Sequence, residues 1–166
     1  MVNVILRVGF EIYSVFGSKK AKNHAYMIFK WSPSVIENKN PKKNDGWTPL
    51  HAAAQNGHYQ ICKIIMNEIR DKHPKMDGGW TPLHYAVRNG HKKVCKMITS
   101  ICKDKNPKAY SGWTPLHEAA KIGNEEIFRM IFDLVAKKEP MTKNGRTPFD
   151  VAHNEGHSHV CAGLHE

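Results

Sequence analysis

Apolar and polar positions follow two nested periods along this chain. Leu50 opens a short apolar face that Ala52, Ala53 and Ala54 continue. After Asn56-Gly57 a second set, Ile61, Cys62, Ile64, Ile65 and Ile69, falls at helical spacing. This pattern predicts two short helices with a break between them. It then returns. Gly46-Trp47-Thr48-Pro49-Leu50-His51 recurs as Gly79-Trp80-Thr81-Pro82-Leu83-His84 and as Gly112-Trp113-Thr114-Pro115-Leu116-His117. A worn copy follows at Gly145-Arg146-Thr147-Pro148-Phe149-Asp150. The threonines stand at 48, 81, 114 and 147, a step of 33 residues without insertion. A fixed period of that length marks a repeat architecture.

The local chemistry of the recurring stretch predicts turn, cap, helix. Glycine permits the tight turn. Threonine is a good N-cap, because its hydroxyl can accept from a free N–H of the first turn. Proline fits the first helical position, where its missing N–H costs nothing. The first helix is expected to stop at Asn56-Gly57, Asn89-Gly90 and Ile122-Gly123, and a second helix to start at once.

This unit resembles the ankyrin repeat. Thr48-Pro49-Leu50-His51-Ala52-Ala53-Ala54, then Gly57-His58, lies close to that family's pattern of capped helix, alanine pair and Gly-His break. The likeness runs from residue 46 to about 162 and recurs four times in register. It implies an all-α solenoid of stacked helix-turn-helix units with short β-hairpin or turn loops. It also implies that His51, His84 and His117 bond near the cap and to neighbouring backbone. One departure is systematic. The family usually ends its second helix with glycine, and this chain has Ile69, Cys102 and Val135 there. The second helix is therefore expected to run on for up to a turn, until Pro74, Pro107 and Pro140 stop it.

The period divides the chain. Residues 1–21 match no repeat. Their apolar run, Met1 to Leu6, is broken by Arg7 and is too short to span a membrane. It also lacks a clear signal-peptide cleavage site. Residues 22–46 read as the back half of a degenerate unit, since Asn23-His24 to Lys30 lies 33 residues before Asn56-Gly57 to Lys63. Pro33 should kink its helix, and Trp31, Val35 and Ile36 would cover the end of the stack. Full units are expected at 47–79, 80–112 and 113–145. A partial unit, 146–166, would end in its second helix, as a terminal cap or as part of a longer array.

Composition changes this picture in three places. The first is cysteine. Of four cysteines, Cys62, Cys95 and Cys161 share one repeat slot that Phe128 fills in the third unit. A slot accepting Cys or Phe is an apolar core slot. Reduced thiols suit a cytoplasmic or nuclear setting. The second is histidine. Most of the eleven fall in repeat slots. The tail (His153, His157, His159, Cys161, His165) offers ligand types without structural zinc spacing, and Asn154-Glu155 does not fit a His-Glu-x-x-His pattern. No metal and no cofactor is assigned.

The third is charge, formally +10. One slot holds Lys39, Lys72, Lys105 and Lys138, and three residues on stand Lys42, Lys75 and Lys108. These predict basic rows along the inter-repeat loops. They read either as solvated decoration or as a stripe for nucleic acid, membrane or acidic protein.

No phosphate-cradling loop, nucleophile elbow or paired-carboxylate constellation occurs, which argues against an enzyme. The resemblance implies binding of a protein partner, by a chain expected to be monomeric, through hairpin tips and the inner face of the first helices. Carried onto this sequence, the candidates are Trp47, Gln55, Met76, Trp80, Tyr85, Arg88, Tyr110, Trp113, Glu118 and Lys121. Trp47, Trp80 and Trp113 share one slot, which favours a packing role for them. The alternatives are a basic-loop binder of nucleic acid or anionic surfaces and an architectural piece of a larger array. Against nucleic acid, the aromatics are not interleaved with the loop lysines.

Overall fold

The computed structural model describes residues 42–164. The expectations for residues 1–21, for most of 22–46 and for Lys39 and His165 lie outside the described residues. Within them, each unit opens with a threonine-capped helix of seven residues: α1 (Pro49–Gln55), α3 (Pro82–Arg88), α5 (Pro115–Lys121) and α7 (Pro148–Asn154). The second helices have ten residues: α2 (Tyr59–Glu68), α4 (Lys92–Ile101) and α6 (Glu125–Leu134). First helices stack on first helices and second on second, in two layers. This is the all-α repeat solenoid that the resemblance implied. Among the described residues no helix is long and apolar enough to cross a membrane.

The core follows the repeat slots. Leu50, Leu83 and Leu116 are fully buried at one slot, and Ile65, Ile98 and Ile131 are buried at another. Ile61, Val94, Ile127 and Val160 fill a third. Cys62, Cys95 and Cys161 are buried free thiols beside Phe128, as the slot argument required. Burial pushes the Cys62 and Cys95 thiols up to about 12, so they stay protonated and unreactive at neutral pH.

The first helices end where the glycines predict. Gly57 takes φ 69°, and His58 N–H donates to Ala53 O at 2.9 Å, a Schellman-type closure. The second helices do not end as expected. They stop at Glu68, Ile101 and Leu134, and Ile69, Cys102 and Val135 are already extended. The reason is a lysine three residues on. Lys72 Nζ donates to Met66 O and Ile69 O, Lys105 Nζ to Thr99 O and Cys102 O, and Lys138 Nζ to Phe132 O. An ammonium over the last carbonyls satisfies acceptors and opposes the negative helix end. It ends the helix well before the prolines.

The last unit also differs from expectation. A single 3₁₀ turn, Ser158–Cys161, replaces the second helix. Gly163 stands where the other units carry Ile64, Met97 and Met130, so no apolar side chain seats a longer helix there.

Between units the chain makes tight turns; no strand occurs among the described residues. Met76 N–H donates to Trp80 O at 3.0 Å, and Ala109 N–H to Trp113 O at 2.8 Å, closing each hairpin-like loop. Neighbouring loops join through Asp77 N–H to Asp45 O (2.7 Å), Tyr110 N–H to Gly78 O (2.9 Å) and Lys143 N–H to Ser111 O (2.8 Å). Gly79 lies against the next loop: a Cβ there would meet Tyr110 N at 2.6 Å.

Candidate interaction surface

The surface is built from the histidines outward. In each of three units the threonine N–H donates to the histidine Nδ1 at 3.2 Å (Thr48–His51, Thr81–His84, Thr114–His117). An accepting Nδ1 places the proton on Nε2. Nε2 then donates into the next unit: His51 to Trp80 O (3.2 Å), His84 to Trp113 O (3.3 Å) and His117 to Arg146 O (3.0 Å). The ring needs a neutral form for this, and burial supplies it. Desolvation pulls His51 down to about 4 and His84 to about 3, against the opposing bond to the carbonyl. Each helix start is thereby tied to the following loop at the residue that carries the tryptophan or Arg146.

On this frame the aromatic rings are fixed. Trp47, Trp80 and Trp113 lie on His51, His84 and His117 with ring centroids 5.3, 5.0 and 5.1 Å apart. Tyr85 meets Trp47 edge-on at 4.8 Å and Trp80 at 5.5 Å, and its hydroxyl donates to Met76 Sδ at 2.9 Å. The Arg88 guanidinium covers Trp80 at 4.3 Å, and its Nε donates to Glu118 Oε1 at 2.7 Å. Glu118 Oε2 accepts from Trp113 Nε1 at 2.7 Å. Arg146 lies 6.0 Å over Trp113. One seam of contacts therefore runs along the corner between the loops and the first helices, from Trp47 in the first unit to Arg146 in the fourth.

The structure thus brings most of the candidate residues together: Trp47, Met76, Trp80, Tyr85, Arg88, Trp113 and Glu118 share the seam. The tryptophans do pack as scaffold, but on the histidine of their own unit and on Tyr85. Glu118 differs from the sequence expectation of an accessible contact. It is only 2% exposed and holds Arg88 in place. Lys121 is exposed on the same helix, and Tyr110 projects from its tip with 60% exposure. Gln55 is exposed, and its backbone carbonyl accepts from His91 Nε2 at 2.9 Å.

The basic rows divide. Lys72, Lys105 and Lys138 are half-buried helix caps. Lys42, Lys75 and Lys108 are exposed; Lys75 Nζ bonds Lys108 O at 3.0 Å and lies 5.8 Å from the Tyr110 ring. A single repeat slot does not reveal this division, though a lysine just past a helix end is a capping signal. The resemblance also places Arg146 among the loop-tip candidates, in the slot that elsewhere carries tryptophan, and the structure sets it 6.0 Å over Trp113.

Among the described residues no group of three or more His, Cys, Asp or Glu could hold a metal. In the tail, His153 Nδ1 lies 3.3 Å from Ser158 Oγ. The cleft beside it is lined by Phe149, Asp150, Ser158 and Cys161. Asp150 is engaged there as the cap of Thr147, through the backbone N–H at 2.8 Å and the hydroxyl at 2.7 Å.

A family model described as "Ankyrin repeats (3 copies)" matches residues 20–109, and one described as "Ankyrin repeat" matches residues 111–136. No curated protein matches the sequence.

Proposed function

The chain belongs to the ankyrin-repeat family, and from that premise we propose that it is a non-catalytic module holding a protein partner against its loop tips and adjoining first helices. Ankyrin repeats generally mediate protein–protein interaction, and the family is typically non-catalytic. The observation that carries the reading here is the seam from Trp47 to Arg146. It presents aromatic and guanidinium groups in fixed positions, and such groups lose little entropy on binding and dominate interface energetics. Arg146 and the outer edge of Arg88 are its accessible parts, and exposed Tyr110 and Lys121 stand on the loop and helix that carry Trp113 and Glu118. A cytoplasmic or nuclear setting fits the buried, protonated thiols.

The test is capture from nuclease-treated cell extract with the full chain as bait. Tyr110→Ala with Lys121→Ala is expected to abolish recovery of a discrete protein. Lys63→Ala with Lys96→Ala, on the second helices, should leave it unchanged. Equal loss from both pairs, with unchanged thermal midpoints, would move the binding surface off the seam. Capture that vanishes with nuclease would favour nucleic acid, for which only Lys42, Lys75 and Lys108 of the described ladder remain exposed.

A further inference from the structure

We infer that the segment this surface takes is acidic, and that its carboxylates meet Arg88 and Lys121. The inference deepens the reading above and rests on it. Arg88 and Lys121 occupy one repeat slot on adjacent first helices, 33 residues apart. The same slot holds uncharged Gln55 and Asn154 in the flanking units, so positive charge is concentrated at the middle of the row. Arg146 adds a third cation, from the slot that elsewhere carries tryptophan.

The chemistry of Arg88 decides what it receives. Its Cζ lies 4.3 Å over the Trp80 ring, and its Nε is bonded to Glu118. Its Nη hydrogens find no acceptor among the described residues, and the side chain is 46% exposed. A guanidinium held by stacking and by one carboxylate, with its outer edge free, is a preorganised receptor for a second carboxylate. Glu118 already neutralises Arg88. Net attraction therefore comes from Lys121 and Arg146, and Arg88 supplies geometry. Of the nearby acids, Glu118 is buried and engaged by Arg88, whereas Asp150 keeps its negative charge while bonded to Thr147 and offsets part of the local positive charge. Asp45 and Asp77 lie on the first two tips, and Asp45 Oδ1 accepts from Trp47 N–H at 2.9 Å.

The same geometry disfavours a nucleic-acid strand. Base stacking needs open aromatic faces. Trp80 already contacts His84 and Arg88, and Trp113 contacts His117 and Arg146. Phosphate binding also gains from a long cation row, and Lys72, Lys105 and Lys138 are engaged as caps.

The test is panning of a phage-displayed random dodecapeptide library on the immobilised full chain, then fluorescence anisotropy with one selected peptide. Selected sequences are expected to be rich in Asp and Glu, and affinity to fall steeply with salt. Lys121→Gln with Arg146→Gln strands no buried charge and is expected to weaken binding about tenfold or more. Arg88→Gln should weaken it as well, though it leaves Glu118 unpaired and needs a check of folding. Lys63→Gln with Lys96→Gln should have no effect. Neutral or basic peptides that bind wild type and the Lys121/Arg146 variant equally would overturn the inference and leave the protein-binding reading standing. Enrichment of no peptide would overturn the acidic-segment inference, and the protein-binding reading would fall only if the extract capture also recovered nothing. A fluorescein-labelled single-stranded dodecanucleotide binding more tightly than any acidic peptide would also overturn it.

Discussion

At the scale of single residues, the informative comparison is between His73 and Asn106, which share a slot. Both follow an aspartate whose Oδ1 accepts their backbone N–H at 3.0 Å. Asn106 Oδ1 then accepts from Leu116 N–H at 2.9 Å, serving one of the free donors at the start of α5. His73 makes no such bond; both of its ring nitrogens are buried without a well-formed hydrogen bond, although the Asp104 backbone approaches closely enough to act on the ring. An unpaired buried polar group is costly. His73→Asn is therefore expected to stabilise the protein by about 1 kcal/mol, by giving Leu83 N–H the acceptor that Leu116 already has. Urea unfolding of the two proteins would measure it, and an unchanged or lower midpoint would contradict it. The sequence places the two residues in one slot. It does not say that only one side chain reaches its target.

At the scale of elements, the second helix is defined by its end. If Lys105 closes α4, Lys105→Met should cost about 1 kcal/mol through unserved carbonyls and a lost charge at the helix terminus. Lys108→Met, three residues on and exposed, should stay within about 0.5 kcal/mol of wild type. Equal effects would return both lysines to one undivided row. The loops give a second pair. Gly79 and Gly145 have similar positive φ, 81° and 74°. A Cβ at Gly79 meets Tyr110 N, and at Gly145 it meets nothing within 4 Å. Gly145→Ala should show the backbone strain alone, about 1 kcal/mol, and Gly79→Ala distinctly more. Thermal midpoints of the two variants would separate strain from steric overlap.

At the scale of the whole molecule, the histidine bonds tie each unit to the next and make stability depend on pH. His51 and His84 titrate near 6.5 when unfolded and only at about 4 and about 3 when folded. Between those values the unfolded chain binds protons that the folded chain refuses. Stability is therefore complete above about pH 6.5 and falls as pH falls, by about 1.4 kcal/mol per pH unit for each such histidine. Neighbouring charges modulate this: Lys42 and Asp45 at His51, and Lys75, Arg88 and His73 at His84. Urea midpoints between pH 7 and pH 5 should drop steadily. His84→Gln should be less stable at pH 7 but show a shallower slope. A flat wild-type profile would mean that the rings do not stay neutral in the fold.

Sequence alone determined the period, the threonine caps, the glycine breaks and the core slots that hold Leu50, Leu83 and Leu116 or Cys62, Cys95 and Phe128. Those features are local or strictly periodic: a cap bonds within its own turn, and an apolar slot repeats wherever the stack must be filled. The resemblance to the ankyrin family, carried onto those slots, collected Trp80, Tyr85, Arg88, Trp113, Glu118 and Lys121 as one candidate group. Only the tertiary structure decided what each polar side chain in a repeated slot does. Lys105 caps a helix and Lys108 faces water. Glu118 is buried under Arg88 and Lys121 is not. His84 bonds the following unit, whereas Asp150, which can only accept, closes its own cap and passes nothing on. Periodicity brings residues about thirty positions apart to neighbouring places, but donor direction, side-chain reach and burial choose among the partners found there.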